Sequence, residues 1–256
     1  SYLAARDCGL LSTARLLEAV GNTLATLEEL PKFHGNLYNW YDTRTLDVLP
    51  PAFVSSVDSG NFFCCLTALK EGLREYAAES GGALFLVARI EDLLAQGDLS
   101  VFYDRRRKLF SIGWDSEKQS LSPYHYDMLM SEARMTSYYA VARGQVEYRH
   151  WRALSRALAK AGPHIGPLSW TGTMFEYFMP ELLLHCPRGS LGYSGLAFCV
   201  YSQKKRTAKM GLPWGVSESG IYSFDGELHY QYRPNGVQRA ALKPGMDQEL
   251  VVSPYS

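Results

Sequence analysis

LLSTARLLEAVGNTLATLEEL, residues 10–30, sets the reading of the fold. Leu10, Ala14, Leu17, Val20, Leu24, Leu27 and Leu30 return every three or four residues, and Pro31 stops the pattern. That spacing puts one apolar stripe on an α-helix, and proline cannot continue it. The same period recurs along the chain. It predicts helices from about Ser59 through Leu73, over 83–96, over 125–143 before Gly144, over 148–161 up to Gly162, from Thr173 to about His185, and from Ser190 to Met210 before Gly211. Two stretches break the period. Val101-Phe102-Tyr103 and Leu109-Phe110-Ser111-Ile112 flank the charged turn Arg105-Arg106-Arg107-Lys108, which reads as a solvated hairpin turn. Ile221–Phe224 and Glu227–Tyr232 flank Asp225-Gly226, a strong hairpin signal. The tail from Val237 to Ser256 and the long segment Phe33–Val57 read as loop.

About seven helices with two small hairpins give a mainly α chain. The strands are too few and too short for a central sheet, and no βαβ alternation appears. Antiparallel helix pairs with functional loops at one end suggest an α/α toroid. At 256 residues the chain is read as a single domain, 1–256, or a fragment of one.

Composition narrows the partners. Lys+Arg and Asp+Glu both number 26, so formal net charge is zero. A nucleic-acid groove or anionic membrane surface needs a positive excess, so both are disfavoured. Five cysteines, an odd number without a C-x-x-C, read as reduced and mostly buried thiols. The six histidines show no metal-ligand spacing, so no metal and no other cofactor is expected. No apolar run reaches the ~18 residues of a membrane span. Seventeen Tyr and five Trp supply many side chains with an apolar body and a polar tip.

The aromatics meet carboxylates in three places: Asn39-Trp40-Tyr41-Asp42-Thr43-Arg44, Trp170-Thr171-Gly172-Thr173-Met174-Phe175-Glu176-Tyr177 and Pro213-Trp214-Gly215-Val216-Ser217-Glu218-Ser219. An indole face covers the apolar face of a pyranose, and a nearby carboxylate takes hydroxyls or does acid/base work. Cleaving a glycosidic bond needs two carboxylates flanking it. Glu218 lies in a Gly/Ser-rich loop beside Trp214. Glu132 lies early in an expected helix, where pairing with Arg134 is the bland alternative. Glu176 completes a Thr-x-x-Glu capping box with Thr173, which is a full structural account by itself. Asp58 could cap a helix or touch ligand, and Asp42 could pair with Arg44 or clamp a sugar hydroxyl. The chain has no G-x-S-x-G, P-loop or G-x-G-x-x-G.

Several of these motifs occur together and in order. Asn39–Leu46 with Leu49-Pro50-Pro51, Val54–Asn61, Leu109–Gly113, Ser131-Glu132-Ala133-Arg134, Ser169–Tyr177, Pro213–Ser219 and Tyr230-Gln231-Tyr232-Arg233 resemble the cyclic β-1,2-glucan synthase family along nearly the whole chain. The resemblance implies the middle, glycoamylase-like domain of a large membrane-associated synthase, with flanking glycosyltransferase and phosphorylase-like domains. It implies a cytoplasmic (α/α)6 toroid that closes linear β-1,2-glucan into rings by transglycosylation. The family's acid/base Glu maps onto Glu132 and its nucleophile onto Glu218. Trp40, Tyr41, Trp170, Trp214, Tyr230 and Tyr232 would contact the sugars, while Asp42, Arg44, Asp58, Asn61 and Glu176 would hold them. Seven helices do not close a six-pair toroid, so the toroid is expected to be incomplete. Open apolar faces would then favour self-association. An inverting β-1,2-glucan hydrolase and a non-catalytic glucan-binding fragment are the rival readings.

Overall fold

A computed structural model describes residues 1–248 and 251–253, with backbone alone for residues 221–224. The tail expected to be loop therefore lies partly outside the described residues. Its described part holds one short 3-10 turn, Gln238–Ala240. The fold is mainly α with small antiparallel sheets. The chain groups into two compact units, residues 1–125 with 135–151, and residues 126–134 with 152–256.

The first unit is built on helices α1 (Tyr2–Asp7), α2 (Thr13–Glu29), α3 (Ser56–Glu75) and α4 (Gly82–Gln96). Ser12 caps α2 by accepting the Arg15 N–H, so the helix begins three residues later than the stripe suggests and leaves Leu10 exposed. Leu16, Val20 and Leu24 face inward, with Leu17 and Leu27 at the edge of the same core. They pack with Phe63, Leu66 and Leu73 of α3 and with Leu86, Val87, Ile90, Leu93 and Leu94 of α4. Fully burying each such side chain contributes about 1.5–3 kcal/mol.

Helix α5 (Arg134–Ala142) lies close against α3, where a Cβ on Gly60 would overlap Thr136. Helix α6 (Tyr148–Ala153) follows. Strands β1 (Lys32–Phe33) and β2 (Asn36–Leu37) form a small hairpin. Strand β3 (Phe53–Ser55) leads into α3. Strands β4 (Tyr103–Asp104) and β5 (Leu109–Ser111) form the expected hairpin, with Arg105 to Lys108 exposed at its tip. Strand β6 (Gly113–Asp115) then pairs with both β3 and β7 (Ser120–Leu121).

The second unit departs further from the periodicity. Residues 126–133 are not helical. Met128 bridges Ser155 and Met130 bridges Ser169, both in parallel. Tertiary backbone pairing at Met128 and Met130 overrides the local helical propensity, and residues 131–133 turn into α5. The helix expected over 148–161 stops at Ala153, and β8 (Leu158–Ala161) pairs with β9 (His164–Pro167). Gly162, with φ +58°, is the first turn residue of that hairpin rather than a helix terminator. Helix α7 (Met174–Phe178) is a single turn that passes into a 3-10 segment, Met179–Leu182. Helix α8 (Leu191–Ala208) is capped by Ser190. Its Phe198 and Cys199 pack with Met130, Ala161, Met174, Tyr177 and Ala240. Strand β10 (Glu218–Phe224) pairs with β11 (Tyr230–Pro234). The loop between them is longer than Asp225-Gly226, because Asp225 Oδ1 accepts both the Glu227 and His229 N–H groups.

All five cysteines are free thiols. Cys199 is buried, but Cys8 and Cys65 are exposed and Cys64 and Cys186 half-buried, which corrects the expectation of mostly buried thiols. No helix among the described residues is long and apolar enough to cross a membrane.

Candidate active site

Within the second unit the backbone draws three of the candidate segments together. Met130 bridges Ser169, and Ser169 bridges Ala241. The Met174 N–H reaches the Val216 carbonyl at 3.2 Å. The segments carrying Glu132, Trp170 with Glu176, and Trp214 with Glu218 are thereby joined. Gly172 permits a close backbone approach. Its φ is +72°, and a Cβ there would sit 2.5 Å from the Val237 carbonyl.

Glu176 organises the loop that carries Trp170. Its carboxylate accepts bonds from Ser169 Oγ at 2.8 Å, Thr171 N at 3.0 Å, Thr171 Oγ1 at 2.7 Å and Thr173 N at 3.1 Å. Thr173 returns the bond to the Glu176 N–H, so the expected capping box is complete. The carboxylate is buried and its acceptor sites face the loop. Bracing the Trp170 loop is thus a full structural account of this carboxylate.

Glu132 precedes α5 rather than lying inside a helix. Arg134 does not pair with it; that buried guanidinium bonds Glu181 at 3.1 Å. Burial pushes the Glu132 carboxyl up to about 7, and the charges of Glu176 and Glu218 push the same way. Bonds from its own backbone N–H and from Ser131 oppose that rise. Glu218 opens β10 instead of sitting in a free loop. Burial also raises its pKa, Glu176 adds to the rise, and the Tyr232 hydroxyl, 2.6 Å from Oε2, opposes it.

Gln203 was not singled out from the sequence. It is fully buried on α8, accepts the Val216 N–H at 2.7 Å and donates to the Val216 carbonyl at 2.8 Å. Ser217 Oγ accepts the Phe175 N–H at 3.0 Å. These bonds fix the strand start that bears Glu218. An amide on a helix face that otherwise packs inward was the available sign.

Trp170 is 50% exposed and Trp214 41% exposed, with Lys204 Nζ 5.0 Å from the Trp214 ring centre. Tyr230 and Tyr232 are exposed as well. These four aromatics are accessible to a ligand, with Lys204 lying over one face of Trp214.

The remaining candidates lie in the first unit. Trp40 is exposed and, with Asn39 and Asp58, lines a cavity of about 340 Å³. Asp58 sits in the first turn of α3, and its N–H donates to Ser55 Oγ. Ser55, not Asp58, is therefore the cap. Asn61 Oδ1 is buried without a hydrogen-bond partner among the described residues. Asp42 Oδ1 accepts the Arg44 and Thr45 N–H groups, which hold its pKa down and close a turn. The Asp42–Arg44 contact is thus to the backbone, and the Arg44 side chain is exposed. Tyr41 donates to the Pro31 carbonyl and accepts the Tyr38 N–H, so its hydroxyl is engaged inside the fold. Among the described residues, no group of three or more His, Cys, Asp or Glu side chains could hold a metal ion.

No family model matches the sequence. The chain is 26% identical, over an alignment 378 positions long, to the cyclic β-(1,2)-glucan synthase NdvB of Rhizobium meliloti; the alignment takes in all of this chain and 13% of that protein. An endo-β-1,2-glucanase from Chitinophaga pinensis, solved with sophorotriose and glucose, superposes with a TM-score of 0.71 at 16% identity, covering 94% of this chain and 62% of that one. A glucoamylase-like protein from Bacteroides fragilis superposes with a TM-score of 0.71 at 17% identity, covering 93% and 61%. The chain thus spans a small part of the synthase and under two thirds of the solved structures. Along its whole length it is similar to a cyclic β-1,2-glucan synthase, and it shares its fold with a β-1,2-glucanase and glucoamylase-like proteins.

Proposed function

We propose that this chain is a glycoside-active, glycoamylase-like α/α domain, or a piece of one, that acts on β-1,2-glucan by retaining transglycosylation. The observation that carries the reading is the pair Glu132 and Glu218. Burial raises both carboxyls, Glu132 to about 7, and at Glu218 the Tyr232 hydroxyl opposes the rise and favours the ionised form. Two carboxylates set apart in this way supply an acid and a nucleophile.

In this reading Glu218 attacks the anomeric carbon and a glycosyl-enzyme forms as the glycosidic bond breaks. Glu132 gives its proton to the leaving oxygen. It then takes a proton from the incoming hydroxyl, which displaces Glu218. A glucan hydroxyl in place of water gives transfer, and one from the same chain closes a ring. Trp170, Trp214 and Tyr230 stack on sugar rings, while Tyr232 steadies Glu218. Trp40, Asp58 and Asn61 offer further sugar contacts on the first unit. The flanking domains of a larger, membrane-associated cytoplasmic synthase would supply the linear glucan.

Incubation with linear β-1,2-glucan followed by mass spectrometry tests the proposal. Products lighter than the linear species by one water, absent with Glu218→Gln, support ring closure. Short linear oligomers instead, released with inverted anomeric configuration, support the second reading, an inverting hydrolase. No turnover with glucan still bound supports a binding fragment.

A further inference from the structure

We infer that Glu176 is a positioning residue, acting on the reaction through Glu132 and the Trp170 loop and not through the sugar; the inference rests on the function proposed above. Three observations point there. The carboxylate is 5% exposed, so a pyranose hydroxyl has little access. Backbone N–H groups of Thr171 and Thr173 and hydroxyls of Ser169, Thr171 and Thr173 all converge on it. Those donors span residues 169–173, so this one side chain sets the path of the backbone on both sides of Trp170. Finally, its charge reaches both reacting carboxylates, raising the pKa of Glu132 and that of Glu218.

The neighbourhood of Glu132 makes the charge effective. The groups that act on it are Glu176 from α7, Glu218 from β10 and the Ser131 hydroxyl on its own segment. Tyr232 on β11 also feels Glu132, but it gives its proton to Glu218. The near cation in sequence, Arg134, is taken by Glu181. The acid is thus flanked by two anions and no cation among the groups that shift it. A fixed anion gripped by five donor groups cannot move away when Glu132 ionises. It therefore favours the protonated acid throughout the resting state. A sugar-binding carboxylate would have free acceptor sites, and Glu176 has its acceptors turned to the loop.

Glu176→Gln keeps the shape and removes the charge. With glutamate side-chain carboxyls labelled with carbon-13, NMR titration of the wild-type chain and this variant follows Glu132, assigned by its loss in Glu132→Gln. The Glu132 midpoint is expected to move down in Glu176→Gln, and the alkaline limb of any turnover profile to move down with it. A folded variant with an unmoved midpoint would overturn the inference. Should that variant not fold, titrating linear β-1,2-glucan oligosaccharide into the labelled wild-type chain decides. Signals of Glu132 and Glu218 shifting while that of Glu176 stays still supports the role, whereas a direct ligand-induced shift of Glu176 equal to theirs would overturn it. If the chain neither binds nor turns over glucan, the proposed function fails, and the midpoint comparison still tests the coupling.

Discussion

The Tyr232 hydroxyl donates to Glu218 Oε2 at 2.6 Å, a bond made across the β10–β11 pair from one strand to the other. A hydrogen bond to a carboxylate favours its ionised form, the form a nucleophile needs. Tyr232→Phe is expected to raise the Glu218 pKa and to move the acidic limb of kcat/KM to higher pH. Bonds to charged groups contribute about 1.5–3 kcal/mol, so turnover should fall roughly 10- to 100-fold. A pH–rate profile of both proteins checks this.

Glu132 couples activity to stability in opposite senses. Its folded pKa, about 7, lies above the ordinary 4.5. Between those values the folded chain holds a proton that the unfolded chain has released, so stability falls as pH rises from about 4.5 to about 7. Glu132→Gln removes that loss. The variant should lose activity yet gain stability on the order of 2 kcal/mol above pH 7, with little gain below pH 4.5. Urea unfolding at acid and neutral pH measures both ends.

Gln203 satisfies both the N–H and the carbonyl of Val216 inside the core. Gln203→Ala leaves two buried backbone groups unpaired, for a loss of about 2–4 kcal/mol. The start of β10 should loosen first. Hydrogen exchange at Val216 and Ser217 and the urea midpoint report the change.

Trp170 and Trp214 are open to solvent, so truncating them creates no core cavity. Trp170→Ala and Trp214→Ala should alter stability by about 0.5 kcal/mol or less. Each should weaken glucan binding roughly 3- to 10-fold. Calorimetric titration with oligosaccharide, alongside thermal unfolding, separates the two effects.

Legibility in the sequence followed how local each interaction was. The α2 stripe, the charged hairpin tip and the capping box of Thr173 and Glu176 all depend on neighbours within a few residues, and all were readable; the Ser12 cap, equally local, was passed over in favour of the apolar stripe. Residues 158–161 turn back at Gly162-Pro163 onto 164–167, a local hairpin that their apolar spacing masks. Met128 and Met130 lie in a stretch with helix-like apolar spacing but pair with Ser155 and Ser169, more than 25 residues away, which no local pattern reveals. The same cause hid the surroundings of Glu132. Expected early in a helix, it lies instead in the turn before α5, two residues after the Met130–Ser169 bridge, and burial there raises its pKa to about 7. Gln203 escaped notice because one amide on a long helix says nothing about what it meets.

The central claim is that Glu218 forms a covalent bond to the sugar. Glu132→Gln, mixed with an aryl glycoside of a β-1,2-glucan oligomer, tests it most directly. The good leaving group needs no acid, while the second step lacks its base, so the glycosyl-enzyme should accumulate. Mass spectrometry of the digested protein should then find one glycosyl unit on the peptide holding Glu218. Release of aryl alcohol with no adduct, and sugar product of inverted anomeric configuration, would contradict the account.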